Sequence, residues 1–184
     1  PFDRTIAYEV RDSVLQEASG LGQASRAFDL LGVPGAALIS GGLYAAGRLF
    51  DNADMADVGL HSAEALAMAW VATGFLKATL GRTRPRRTID DPFDFGFLRG
   101  VGDDDFRAFP SGHTSGAFAL AGALAHEMER LWGGSPWLYG ALTYGPAALV
   151  GVSRMFDNHH WTSDVVFGAA IGAFSGWKSV RYNH

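Results

Sequence analysis

Apolar residues recur along this chain at three- and four-residue intervals, with few alternating runs of the kind a half-buried strand needs, so the pattern is helical almost throughout. The interruptions fall at clusters of Gly, Pro and Asp, which break helices through backbone freedom, a missing N–H or competing side-chain hydrogen bonds. Dividing the chain there predicts helices at 4–18, 24–32, 35–50, 58–80, 113–131, 136–153 and 163–179. The stretch from about 82 to 109 is too polar and too rich in Pro and Gly to be helical, and so long a loop inside a compact domain is commonly functional. The expected fold class is therefore all-α: a single domain over 1–184, a bundle of about six or seven helices with an active site at one end.

Composition narrows this picture in three ways. At 184 residues the chain is long enough to bury a core as one unit. A net charge of -4 gives no electrostatic footprint for nucleic acid. The absence of cysteine excludes disulfides and thiolate zinc sites. Runs such as 108–126 and 131–153 are uncharged or nearly so and approach spanning length. Mean hydropathy is only +0.06, however, and Gly133-Gly134-Ser135-Pro136 leaves about seventeen residues before Arg154. The expectation is a soluble or peripherally associated helical domain, with an integral membrane protein as the alternative. No export signal is legible at Pro1, and a cleaved signal would leave none.

Against this Ala- and Gly-rich background three short polar segments stand out. The first runs from Lys77 to Arg84-Pro85, the second is Pro110-Ser111-Gly112-His113, and the third begins at Ser153-Arg154 and continues to His160 and Asp164. Arginine presents a planar fork to two phosphate oxygens and lysine a compact charge, so Lys77, Arg84 and Arg154 are candidate oxyanion contacts. Pro110-Ser111-Gly112 reads as a turn into a helix, which would aim the Ser111 hydroxyl and the amides near Gly112 at an anion. Histidine can act as nucleophile or as acid near neutral pH, and either His113 or His160 could take either role. If the chain continues helically from His160, Asp164 lies one turn on and its carboxylate can accept the Nδ1 proton, leaving Nε2 to attack.

Together these segments resemble the type 2 phosphatidic acid phosphatase superfamily, which includes bacterial acid phosphatases, membrane lipid phosphatases and vanadium-dependent haloperoxidases. The resemblance covers 77 to 164 and implies His160 as a nucleophile that forms a phosphohistidine, Asp164 as its orienter and His113 as general acid. It also implies Lys77, Arg84, Ser111, Gly112 and Arg154 as the phosphate-binding set. The implied activity is hydrolysis of phosphomonoesters, foremost lipid phosphates such as phosphatidic acid or phosphatidylglycerol phosphate, with an isoprenoid pyrophosphate as the other option, without a metal or other cofactor and with vanadate acting as an inhibitor that mimics phosphate. A phosphorylated lipid or small molecule is the implied substrate, with a membrane surface as a possible partner and an extracytoplasmic, periplasmic location. Two alternatives stand beside it: a haloperoxidase holding vanadate on His160, and a catalytically silent lipid-binding relative.

The remaining polar residues read as structural. His159 is expected to face away from the site, at most lining its rim, while His61 and His126 suit surface or interface positions. The acidic run Asp90, Asp91, Asp94, Asp103, Asp104 and Asp105 lacks the alternating ligand spacing of a calcium loop and reads as solvated, offset by the arginines at 82, 86, 87, 99 and 107. Phe93, Phe95, Phe97, Phe106 and Phe109 either pack the loop onto the bundle or form a wall for an acyl chain, with packing the commoner fate of each.

Overall fold

The computed structural model describes residues 2–11 and 19–184, and among them every regular element is helical. In chain order these are α1 (Phe2–Val10), α2 (Ser19–Leu31), α3 (Val33–Leu49), α4 (Ala53–Leu80), α5 (Gly112–Trp132), α6 (Pro136–Phe156) and α7 (Thr162–Asn183). The all-α expectation holds, and the last five helices lie within a few residues of their predicted bounds. The part of the expected first helix from 12 to 18 lies outside the described residues. The loop between α4 and α5 is irregular as predicted, apart from two single 3-10 turns at Arg99–Val101 and Asp104–Phe106.

Helix ends carry the local signals that set them. Asn52 caps α4 by accepting from the Met55 amide at 3.0 Å, and Gly81, at φ 53°, ends the helix in the left-handed conformation that glycine takes without a Cβ penalty. Ser111 caps α5, and Pro136 opens α6 where its missing N–H costs nothing.

The centre of the bundle is built from small residues rather than large ones. Ala36, Ala65, Ala69, Ala119 and Ala123 are fully buried with Leu66, Leu120 and Val180 around them. Close approach extends over several turns between α5 and α7. Gly168, Gly172 and Gly176 form a stripe one turn apart on α7, and a Cβ on them would stand 2.5, 2.2 and 2.6 Å from the Ser111, Ser115 and Ala119 carbonyl oxygens. Only a hydrogen there lets the two backbones touch, and that contact fixes the register of the second polar segment against the third.

Large apolar side chains turn outward instead. Leu38 on α3, Val71 and Phe75 on α4, Trp137 and Leu142 on α6, and Val166 and Phe174 on α7 are all more than half exposed. No single helix among the described residues is long and apolar enough to cross a membrane, although Gly22–Leu31 and Val33–Leu49, bent by 43°, meet that test as a pair.

Candidate active site

Four helix ends and one loop converge. Lys77 lies in the last turn of α4, Ser111 and His113 at the start of α5, Arg154 in the last turn of α6, and Asp164 in the first turn of α7. Alternating helix direction therefore carries residues nearly ninety positions apart to one end of the bundle. The Ser111 amide donates to the Asp164 carbonyl at 2.9 Å, and Lys77 Cε lies 3.5 Å from the Cβ position of Gly112.

Buried cations dominate the electrostatics. Arg84 and Arg154 are 8% and 3% exposed, and the charges of Lys77, Arg84 and Arg154 all act on His160. Burial first, then those three charges, push the His160 imidazole well below its ordinary range and keep it neutral. Lys77, which donates to the Arg107 carbonyl at 2.6 Å, is lowered to about 7, again by burial first and then by Arg84. His113 is lowered by burial and by Arg154, with Asp29 opposing. Such a cluster of desolvated positive charge is costly without an anion between its members, which is what a phosphate would supply.

The orientation of His160 differs from the expectation. Its Nδ1 lies 2.6 Å from the Ala108 carbonyl and 3.6 Å from Asp164 Oδ2, so Nδ1–H donates to the loop backbone and not to Asp164. The reason is local: α7 starts at Thr162, two residues after His160, and one-turn helix spacing does not apply between them. Asp164 instead closes the helix start, accepting from the Trp161 amide at 2.7 Å, and pairs with Arg82 at 2.5 Å. The outcome for His160 is unchanged, since Nδ1 holds the hydrogen and Nε2 keeps its lone pair. Burial pushes the Asp164 carboxyl up to about 6 against the pull of Arg82.

Arg82 is the residue that sequence reasoning undervalued. It is 2% exposed and bonds Asp164, the Ser163 hydroxyl at 2.7 Å, the Pro92 carbonyl, and Asp3 of α1 at 2.8 Å. Its ring partners are Phe95 at 5.1 Å and Trp161 at 5.4 Å. Its place two residues before Arg84 was the available signal. Asp3, which also accepts from the Ser163 amide at 2.9 Å, had none.

A second unforeseen group is Asp29 on α2. One of its oxygens is ion-paired to Arg154 Nη1 and stands 3.5 Å from His113 Nε2. His159 meets Arg154 through Nδ1 and Arg86 at 3.5 Å through Nε2, so it sits on the rim but holds a site arginine rather than facing away. Arg154 Nε is buried without a partner.

The loop from 82 to 109 lies over this end. Its acidic residues pair with arginines: Asp104 with Arg84 and Arg86, Asp105 with Arg86 and Arg87, and Asp94 with Arg99. Phe106 is clasped between Arg87 and Arg99, and Phe109 packs edge-on between Phe95 and Phe167. Phe93 and Phe97 remain 68% and 81% exposed, so packing accounts for three of the five phenylalanines and not for these two. His61, expected at a surface or interface, is instead buried against Glu127.

A lipid A 1-phosphatase of Porphyromonas gingivalis is 42% identical over 84 residues, covering 46% of this chain and 18% of that protein. One from Rhizobium etli is 30% identical over 125 residues, covering 67% of this chain and 48% of that protein, so the chain spans about half or less of these relatives. Among solved structures, Aquifex aeolicus LpxE superposes with a TM-score of 0.70 at 23% identity, covering 97% of this chain and 94% of its own. A transmembrane PAP2 type phosphatidylglycerolphosphate phosphatase from Bacillus subtilis gives 0.54 at 20% identity, covering 99% and 92%. These two share the fold. Residues 59–184 match the PAP2 superfamily, and with well over half of its length in that match, the chain belongs to the PAP2 superfamily.

Proposed function

We propose that the chain forms one phosphatase domain that hydrolyses phosphomonoesters of lipids through a phosphohistidine on His160. The observation that carries this is the neutral, Nδ1-anchored His160 set among Lys77, Arg84 and Arg154 at the start of α5. In the first step Nε2 attacks phosphorus, the P–O bond to the leaving group breaks, and His113 passes its proton to the departing oxygen. In the second, water attacks phosphorus, its proton goes to His113, and the P–N bond breaks to release inorganic phosphate. Lys77, Arg84, Arg154, the Ser111 hydroxyl and the Gly112 amide hold the equatorial oxygens, a job that metal ions do in other phosphoryl-transfer sites.

Three observations favour a lipid over a soluble ester. The relatives are lipid A 1-phosphatases, Phe93 and Phe97 stand exposed on the loop above the site, and the outer faces of α3, α4, α6 and α7 carry large apolar groups. A membrane-associated enzyme acting on the extracytoplasmic side fits these surfaces and the resemblance together.

The test is phosphate release, without added metal, from a soluble aryl phosphate, phosphatidic acid, phosphatidylglycerol phosphate, lipid A and an isoprenoid pyrophosphate. Lipid monoesters should be preferred, His160→Ala should lower turnover by about 10⁴-fold or more, and the acid-labile phosphoenzyme should vanish with it. Full activity in His160→Ala would remove the mechanism, and equal turnover of all substrates would remove the lipid assignment.

A further inference from the structure

We propose that His61, Glu127 and His184 form a binding site for one divalent transition-metal ion, with Zn²⁺ the best match, at the end of the bundle remote from His160. His61 lies sixteen residues before Lys77 on α4, about 24 Å of helix. Glu127 lies fourteen residues after His113 on α5, and His184 follows the end of α7. The site therefore shares no residue with the phosphatase centre.

Glu127 is the centre of the cluster. It is completely buried, and its two oxygens are divided: Oε2 accepts from Arg130 Nε at 2.8 Å, whereas Oε1 faces His61 Nδ1 at 2.5 Å and His184 Nε2 at 3.6 Å. A buried carboxylate is satisfied by one cation and one imidazole. The second imidazole, set edge-on to the first with ring centroids 5.1 Å apart, is surplus to that need.

All three ligand atoms lie within 4.8 Å of one another. In a tetrahedral zinc site they would stand about 3.3 Å apart, a change met by opening the His61 contact by less than about 1 Å and drawing the widest pair together by at most about 1.5 Å. Two nitrogens and one carboxylate oxygen suit Zn²⁺, and Co²⁺ as its stand-in, over the oxygen-seeking Ca²⁺ and Mg²⁺.

The surroundings hold the ligands in place. Arg130 fixes the far oxygen of Glu127, and the Ser179 hydroxyl donates to the His61 carbonyl at 2.8 Å. Asn183 donates to Glu64 at 2.7 Å, tying the last turn of α7 to α4 beside His184. A solvent-open depression of about 480 Å³, lined by His126, Glu129, Arg181 and His184 among others, gives the ion an entry path. On binding, the metal replaces the hydrogen between His61 Nδ1 and Glu127, and His61 takes the tautomer with its hydrogen on Nε2.

The experiment uses the whole chain, stripped with a chelator and titrated with Zn²⁺ by calorimetry and with Co²⁺ by visible absorption. One ion per chain should bind and raise the unfolding midpoint. His184→Ala should weaken binding at least about 100-fold while leaving the metal-free midpoint and aryl phosphate turnover unchanged, and His126→Ala should bind as the parent does. Glu127→Gln should also lose the Co²⁺ spectrum. No saturable binding by the parent, or undiminished binding by His184→Ala, would overturn the proposal and leave His61 and Glu127 as a buried ion pair only.

Discussion

At the scale of single residues, the cationic side chains are the part of the site that could be read from sequence, because their chemistry is intrinsic to the residue type. Lys77, Arg84 and Arg154 needed no geometry to be suspected. The partner of His160 was not legible, since it is a backbone carbonyl, Ala108, that any residue could have supplied. Asp29 and Asp3 were equally silent, one carboxylate on each of two helices with no motif around them. Lys77, lowered to about 7, is charged below that pH and neutral above it, so inhibition by inorganic phosphate should weaken as pH rises through 7. In Lys77→Arg the charge persists, and the phosphate Ki should hold to higher pH; the same decline in both proteins would show that Lys77 is not the titrating group. Arg82→Ala would strand Asp164, 0% exposed, without its cation. Breaking one partner of such a buried pair costs about 3–5 kcal/mol, measurable by denaturant unfolding, and Asp164→Ala should cost a similar amount.

Among the elements, the helices were legible because their lengths, caps and breaks are local. Five of the seven fall within a few residues of the pattern-based bounds, and it is the non-helical step from His160 to Trp161 ahead of α7, not a misplaced bound, that makes Asp164 a helix cap rather than the orienter of His160. What the pattern could not give is which helices touch. The Gly168, Gly172 and Gly176 stripe is visible as a spacing, but glycine repeats serve many ends, and only its contact with the α5 carbonyls shows its purpose. Gly172→Ala would place a Cβ 2.2 Å from the Ser115 oxygen, where backbone must yield. We expect a loss of about 1–3 kcal/mol in unfolding free energy. Turnover should drop as well, because the shift would part Ser111 from the Asp164 carbonyl. Unchanged activity in a destabilised Gly172→Ala protein would separate the packing of α5 and α7 from the catalytic register.

For the whole molecule, the distribution of apolar surface matters more than its amount. Mean hydropathy near zero concealed it, because the core is made of alanine and glycine while the large residues face outward. If Phe93 and Phe97 meet a lipid chain, the double change to Ser should lower kcat/KM for phosphatidic acid by about 10-fold or more and spare the soluble aryl phosphate. Equal loss on both would assign these rings to folding. The clasp of Asp3 on Arg82 and Ser163 has a consequence of another kind. Asp3 belongs to the first described helix and Ser163 to the last, so the two groups must be brought together across 160 positions of chain before either is satisfied. The catalytic end then closes as a late, long-range step.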